Sequence, residues 1–298
     1  GPLVSGVSTT GTYTLNPGEN NPTVDLGIVQ TASLGDKVWL DNGTGTGGVG
    51  NDGIQNGTEP GLNGVTVKIY DGANLIATTT TAGGGLYLFT NLIPGVAYTV
   101  TFDVPAGYVT SPQNAVGTEA SDSDGSPAVG GGISTTASVT LAPGESNLNV
   151  DLGLVQTASL GDKVWHDNGA GTGGIVNDGI QNGTEPGVNG VTVKIYDGAV
   201  LIATTTTAGG GLYQFNDLIP GVVYTVKFSN LPSGYILSPQ NTPSDDALDS
   251  DGGPLVSGVS TTGTYTLAPG ENNPTVDLGI VQTASLGDKV WHDKIGRA

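Results

Sequence analysis

The sequence predicts an all-β protein, a tandem array of antiparallel β-sandwich domains with no significant helix. Three observations carry this. The text from Ser33 to Glu59 returns from Ser159 to Glu185, and its opening returns again from Ser285, at a constant spacing of 126 residues. A fixed period of that length is a repeat of whole domains. Within each period, short stretches of alternating apolar and polar residues are separated by Gly, Pro and Asp-Gly turns, and no window carries a 3.6-residue apolar stripe.

The period sets the domain organisation. Residues 33–155 and 159–281 are each one complete unit. Residues 1–29 match 253–281 and so read as the C-terminal part of a repeat. Residues 285–298 open a further repeat, but Lys294–Ala298 depart from the text that follows Asp167. The joints Gln30-Thr31-Ala32, Gln156-Thr157-Ala158 and Gln282-Thr283-Ala284 are identical. A joint that short repeats one interdomain geometry, unlike a Gly/Ser spacer, and so predicts a rod.

In the first complete unit, Leu34–Leu40 is the first expected strand. Val65, Val67 and Ile69 alternate with Thr66, Lys68 and Tyr70, the pattern of a half-buried strand. Asp71-Gly72 is a hairpin signal leading into Leu75–Thr81. Gly83-Gly84-Gly85 turns the chain into Leu86–Leu92, where Tyr87 and Phe89 share a face. Pro94-Gly95 turns it into Val96–Phe102, with Tyr98, Val100 and Phe102 on one face. Ile133–Leu141 and Leu148–Val155 close the unit. About seven short strands in a unit of this size indicate an antiparallel sandwich.

Composition narrows the function. There are 27 acidic residues against 8 basic ones, for a net charge of −19. That balance argues against nucleic acid, whose phosphates need Lys and Arg. It suits bound divalent cations, which offset self-repulsion. The chain has no Cys, so disulfides and thiolate metal sites are excluded. No apolar run reaches the roughly 18 residues of a membrane span. Abundant Gly and Thr with 12% charged residues match bacterial surface β-proteins better than cytosolic enzymes.

The loop Asn51-Asp52-Gly53-Ile54-Gln55-Asn56-Gly57-Thr58-Glu59 resembles the second half of an EF-hand calcium loop. In that reading Asp41 is the first ligand and Asp52 the mid-loop carboxylate. Gly53 makes the turn, Ile54 offers its carbonyl, Asn56 its side chain directly or through water, and Glu59 both oxygens. The counterparts are Asp167, Asp178, Ile180, Asn182 and Glu185. Ten residues separate Asp41 from Asp52, more than the EF-hand spacing holds, but they are rich in Gly and Thr and can loop out. The alternative is an Asx- and Gly-rich turn that binds nothing. Trp39 and Trp165 each lie two residues before the first ligand and are expected where the first strand meets the loop. A second acidic cluster comprises Glu119, Asp122 and Asp124, with Asp246, Asp249 and Asp251 as counterparts and Asp245 added. Carboxylates two apart in a Ser/Gly loop suit a hard cation; the alternative is a solvated acidic turn.

Several motifs occur together in a fixed order. They are Ser33-Leu34-Gly35-Asp36-x-Val38-Trp39-x-Asp41, Asp52-Gly53-Ile54-Gln55 with Glu59-Pro60-Gly61, and Tyr87-x-Phe89-x-x-Leu92-x-Pro94-Gly95. Pro105-x-Gly107-Tyr108, Asp122-Ser123-Asp124-Gly125 and Val150-Asp151-Leu152-Gly153 follow. This set resembles the SdrD B-like repeat of bacterial surface proteins, across both complete units and both partial ones. The resemblance implies a Cna B-type, prealbumin-like sandwich that binds Ca2+. It also implies a stalk or adhesive array outside the cell, and favours calcium at the second cluster. The long insert after Asp41 departs from the family pattern.

Other constellations are weighed against this reading. A glycosidase pair of acids lacks an aromatic sugar platform nearby in sequence. His166 and His292 correspond to Leu40 and read as exposed strand-end residues. Related sandwiches form Lys–Asn isopeptide bonds, for which Lys37 with Asn149 is the candidate pair and Lys68 the other lysine; the plainer reading, an exposed strand lysine, is favoured here. Asn42, Asn56 and Asn182 lie in Asn-Gly-Thr sequons and the Thr78–Thr81 run offers hydroxyls, so glycans are candidate partners. The function expected is therefore a non-enzymatic, calcium-binding repeat array forming a cell-surface stalk or extracellular filament, its partners being neighbouring repeats or copies of the same protein. The alternatives are an adhesin whose repeats grip a host or matrix ligand and a carbohydrate-active module. The end fragments, with expected strands Val7–Leu15, Val24–Val29 and Leu286–His292, are read as pieces of a longer covalent array rather than as donors of strands to the next copy.

Overall fold

In a computed structural model, residues 3–4, 7–115, 119–240 and 246–288 are described. Strands β1 (Leu3–Val4) and β2 (Val7–Ser8) form a small antiparallel pair. The first complete unit follows as β3 (Ala32–Leu40), β4 (Thr66–Asp71), β5 (Asn74–Thr80), β6 (Leu86–Leu92) and β7 (Ala97–Asp103). It closes with β8 (Tyr108–Thr110), β9 (Ile133–Thr135), β10 (Val139–Thr140), β11 (Ser146–Asn147) and β12 (Leu152–Gln156). The second unit repeats the plan with β13 (Ala158–His166), β14 (Thr192–Asp197), β15 (Val200–Thr206), β16 (Leu212–Leu218) and β17 (Val223–Ser229). Its last strands are β18 (Tyr235–Leu237), β19 (Ser260–Thr266), β20 (Asn272–Asn273) and β21 (Leu278–Gln282).

Each unit is two sheets. In the first, β5, β4 and β7 run side by side and β9 and β10 continue along the far edge of β7. The facing sheet holds β6, β3, β12 and β8, with β11 beside the start of β3. Alternation places Val67, Ile69, Tyr98, Val100 and Phe102 from one sheet against Leu34, Val38, Phe89 and Leu152 from the other, in one buried cluster. The second unit packs the equivalent residues the same way. Pairing is antiparallel except that β3 lies parallel to β11 and β12, and β13 to β20 and β21. The first and last strands of a unit thus share one sheet, which joins its two ends.

The structure corrects several expected elements. Ile133–Leu141 breaks into β9 and β10, and of the expected Leu148–Val155 only Leu152 onward is strand, as β12, while β11 lies just before that span. The strand Tyr108–Thr110 was not read from the sequence, because Pro and Gly flank a very short apolar run. The joint is not a three-residue linker: Gln156 belongs to β12 and Ala158 to β13, leaving Thr157 alone between them. Thr157 donates its amide to Gly107 O at 2.9 Å. Residues 9–31 form no strand, although Val7–Leu15 and Val24–Val29 were expected as strands. The reason is the lack of partner strands: Ile28 is 89% exposed, whereas its counterpart Ile280 is fully buried between the sheets of the second unit. Leu286–Asp288 are likewise without strand, and the rest of the expected strand Leu286–His292, with His292 itself, lies outside the described residues.

Candidate metal centre

The acidic loop is built on the exposed face of the sheet that holds β3. Leu34 and Val38 point into the core, so Trp39 points to the opposite face. It is nevertheless fully buried, because the loop folds over it. Trp39 bridges Gly61, and Leu40 donates its amide to Pro60 O at 2.8 Å, so the loop's end is pinned to the strand. A Cβ at Gly153 would lie 2.9 Å from Trp39 Cζ2, so the glycine makes room for the indole.

The insert after Asp41 is looped out by its own hydrogen bonds. Asn42 bridges Gly50, and Thr58 donates its amide to Thr44 O at 2.7 Å. The closure returns the chain to Asp41, whose Oδ1 accepts from Asn51 N at 2.5 Å and whose Oδ2 accepts from Gly53 N at 2.8 Å. Asp52 caps Ile54 N at 2.9 Å through Oδ1. Asn56 donates to Asp52 Oδ2 at 2.7 Å and accepts from Val49 N at 2.8 Å, so both ends of its amide brace the loop. That bond also engages the nitrogen an N-glycan would need. Glu59 accepts from Gly43 N at 2.8 Å and Asn56 N at 3.1 Å. The second unit repeats this, with Gly179 N on Asp167 Oδ2, Asn182 on Asp178 Oδ2, and Gly169 and Asn182 amides on Glu185.

Asp41, Asp52 and Glu59 thus lie near enough to feel one another's charge despite the ten-residue insert, but their ligand oxygens are not gathered within 4.8 Å of one another, as those of Asp246, Asp249 and Asp251 are. Burial pushes the Asp41 and Glu59 carboxyls upward; backbone amides oppose this, and the neighbouring loop carboxylates add to it.

The second cluster is not separate. Ile54 bridges Asp122, Gln55 N donates to Ser121 O at 2.6 Å, and Ser123 N donates to Gly53 O at 3.0 Å. Asp122 is buried and its Oδ1 has no hydrogen-bond partner. Asp124 accepts Asp151 N at 2.7 Å and returns its own amide to Asp151 O at 2.9 Å. Burial, then the charges of Asp122 and Glu119, push Asp124 to about 6, and burial pushes Asp251 to about 7. In the second unit one ligand oxygen from each of Asp246, Asp249 and Asp251 lies within 4.8 Å of the others. Asp245 lies outside the described residues. An enclosed carboxylate oxygen without a donor and a convergence of acids fit a hard cation with oxygen ligands.

The remaining sequence candidates fall elsewhere. His166 is half-buried rather than exposed, with its ring 5.1 Å from that of Tyr235 and edge-on to it. Lys68 pairs with Asp103 at 2.7 Å. Lys37 reaches the last strand through its backbone amide, 3.0 Å from Asp151 Oδ1, and no hydrogen bond joins it to Asn149 among the described residues. Asp151 and Asp277 went unread as site residues, because each was seen only as part of a strand motif. Burial first, and then the charges of Asp36 and Asp162 respectively, push both to about 9.

The chain is similar to known repeat proteins. Serine-aspartate repeat-containing protein F of Staphylococcus epidermidis is 36% identical over 295 residues, which are 96% of this chain and 15% of the relative. Serine-aspartate repeat-containing protein D of Staphylococcus aureus (strain Newman) is 35% identical over 282 residues, 93% of this chain and 19% of the relative. The chain thus spans less than a fifth of the length of these relatives. Among solved structures, shaft pilin SpaA of Lactobacillus rhamnosus GG matches 87% of this chain and 100% of its own at 14% identity and a TM-score of 0.32. The two B repeat units of the collagen binding protein of Staphylococcus aureus match 85% of this chain and 49% of their own at 13% identity and a TM-score of 0.23. The profile of the SdrD B-like domain, a repeat module of surface proteins and not an enzyme, matches residues 32–154 and 158–280. Those two matches cover both sandwiches with their acidic loops, and the chain belongs to the SdrD B-like domain family.

Proposed function

We propose that this chain is part of a calcium-stiffened array of β-sandwiches forming a stalk or filament outside a bacterial cell. The observation that carries the reading is the convergence of Asp246, Asp249 and Asp251, whose ligand oxygens lie within 4.8 Å of one another, beside an acidic loop whose closure returns Gly179 N to Asp167, as it returns Gly53 N to the counterpart Asp41. Asp41, Asp52, Ile54 and Glu59 would hold one ion, with Asn56 orienting Asp52. Asp122, Asp124 and Glu119 would hold a second, and the counterparts in the second unit would do the same. An ion bound only by the folded state adds stability as RT ln(1 + [L]/Kd), about 2.7 kcal/mol at a hundredfold excess over Kd.

The joint supports a stiff array. Strand β12 runs almost directly into β13, and Asn51 of the acidic loop donates its side-chain amide to Pro220 O of the next unit at 3.2 Å. The loop that would hold calcium therefore touches the following repeat. The neighbouring repeats are the partners, and membership of the SdrD B-like domain family supports a location outside the cell. Small-angle scattering with calcium and then with EGTA tests the reading. The expected result is an extended particle that loses maximum dimension and melting temperature on chelation. Identical curves and melting temperatures in both states would refute it.

A further inference from the structure

The two complete repeats differ in charge on the outer face of one sheet. In the first, Lys68 on β4 stands opposite Thr101 on β7 and donates to both oxygens of Asp103, at 2.8 and 2.7 Å. In the second, Lys227 stands where the first has Thr101, and Ser229 where it has Asp103. Lys194 on β14 therefore lies directly opposite Lys227 on β17, and Thr261 of β19 flanks Lys227 on its other side. Val193, Ile195, Val226 and Phe228 turn into the core, so the alternation puts both lysines on the outward face. Lys227 Nζ sits 4.5 Å from the centre of the Tyr196 ring, a cation–π contact that holds its ammonium in place. Among the described residues neither lysine forms an ion pair. Like charges directly opposite on adjacent strands are destabilising. The chain has 8 basic residues against 27 acidic ones, and Lys37 and Lys163 lie beside Asp36 and Asp162. The second repeat thus gathers positive charge on one face without a carboxylate to answer it.

We propose that Lys194 and Lys227 form an anion site in the second complete repeat, and that the group it takes is a phosphoryl group. Both lysines line a cleft of 350 Å³ with Tyr196, Ser229 and Thr261, large enough for a phosphate. Each ammonium is a compact charge with three donors, which suits an anion that presents oxygens in several directions. The Ser229 and Thr261 hydroxyls line the same cleft and add donors. A carboxylate offers only two oxygens in one plane and would leave part of this set unused. A dianion seated between the two ammonium groups turns their mutual repulsion into attraction, so the arrangement is costly empty and favourable when filled. The first repeat has no such site, because Asp103 already holds Lys68. Two sources carry the group, a free phosphate ion and a phosphate held in a polymer, and the cleft lies on the outer face where either can reach it.

The test is calorimetric titration of the full chain with inorganic phosphate and, separately, with sodium polyphosphate, in EGTA so that calcium contributes no heat. The wild type is compared with K194Q and with K227T/S229D. The double variant writes into the second repeat the residues with which the first already folds, and circular dichroism checks all three proteins. The expected result is one saturable phosphate site per chain in the wild type, weakened by added salt. K227T/S229D should lose it, and K194Q should bind about tenfold or more weakly, as removal of one charge-assisted contact implies. Polyphosphate binding tighter than phosphate supports the site with a polymer as its source, and equal affinity per phosphoryl group supports it with the free ion. No saturable binding of either probe by the wild type would overturn the proposal. Unchanged affinity in folded K194Q or K227T/S229D would also overturn it, by placing the anion elsewhere.

Discussion

Replacing Glu59 and Glu185 together by alanine separates a structural role of these acids from a role as ligands. Each carboxylate is buried and accepts two backbone amides, Gly43 and Asn56 in the first unit, Gly169 and Asn182 in the second. A hydrogen bond to a charged acceptor contributes about 1.5–3 kcal/mol, so losing two per repeat costs about 3 kcal/mol or more, even without calcium. For a unit of this size that lowers the melting temperature by on the order of 10 °C. With calcium at a hundredfold excess over Kd the wild type gains about a further 2.7 kcal/mol that the variant forgoes. Scanning calorimetry of both proteins in EGTA and in calcium gives the two contributions separately. A variant as stable as the wild type in EGTA would refute the amide-capping argument. An equal rise in melting temperature for both proteins on adding calcium would refute the assignment of Glu59 and Glu185 as ligands. Asn56→Ala should reduce the calcium gain less than Glu59→Ala does, because it removes a brace and not a charge.

Three further outcomes are expected. Asp151 and Asp277 are pushed to about 9, against about 3.9 for an exposed Asp, so in metal-free protein their contribution is fully present below about pH 4 and is lost as pH rises through about 9; melting in EGTA should fall from pH 5 to pH 8, and a flat or rising trend would contradict the burial of these groups. Trp39 and Trp165 lie fully buried beneath the acidic loops, so chelation should shift tryptophan emission to the red, and a spectrum indifferent to EGTA would show that loop and indole are uncoupled. A Cβ at Gly61 would sit 1.6 Å from Gly84 O, and one at Gly187 would sit 1.6 Å from Gly210 O, so G61A/G187A should lose at least the 1–3 kcal/mol typical of overpacking (about that range); an unchanged denaturation midpoint would show that this backbone contact yields freely.

The 126-residue period, the strand alternation and the inventory of acids were legible in the sequence, because each depends on local order alone. Alternation fixes which side chains share a face, so Val67, Ile69, Val100 and Phe102 could be assigned to one core without coordinates. The acids of the loop were legible for the same reason, since a turn of Asp, Gly and Asn announces itself over a few residues. What could not be read was the meeting of distant residues. The insert between Asp41 and Asp52 is closed by Asn42 and Gly50, a backbone bridge within the loop with no sequence signature. Lys37 and Asp151 stand at opposite ends of a repeat and meet only because its first and last strands lie side by side. The two copies of one text make the same point. Val24, Leu26 and Ile28 are exposed, whereas Val276, Leu278 and Ile280 are fully buried, in almost the same local sequence. The alternation in both copies specifies a strand, but its apolar face gains free energy only where a facing sheet removes it from water, and in the second unit that sheet is built from β14, β15, β17 and β19, separate stretches of the sequence.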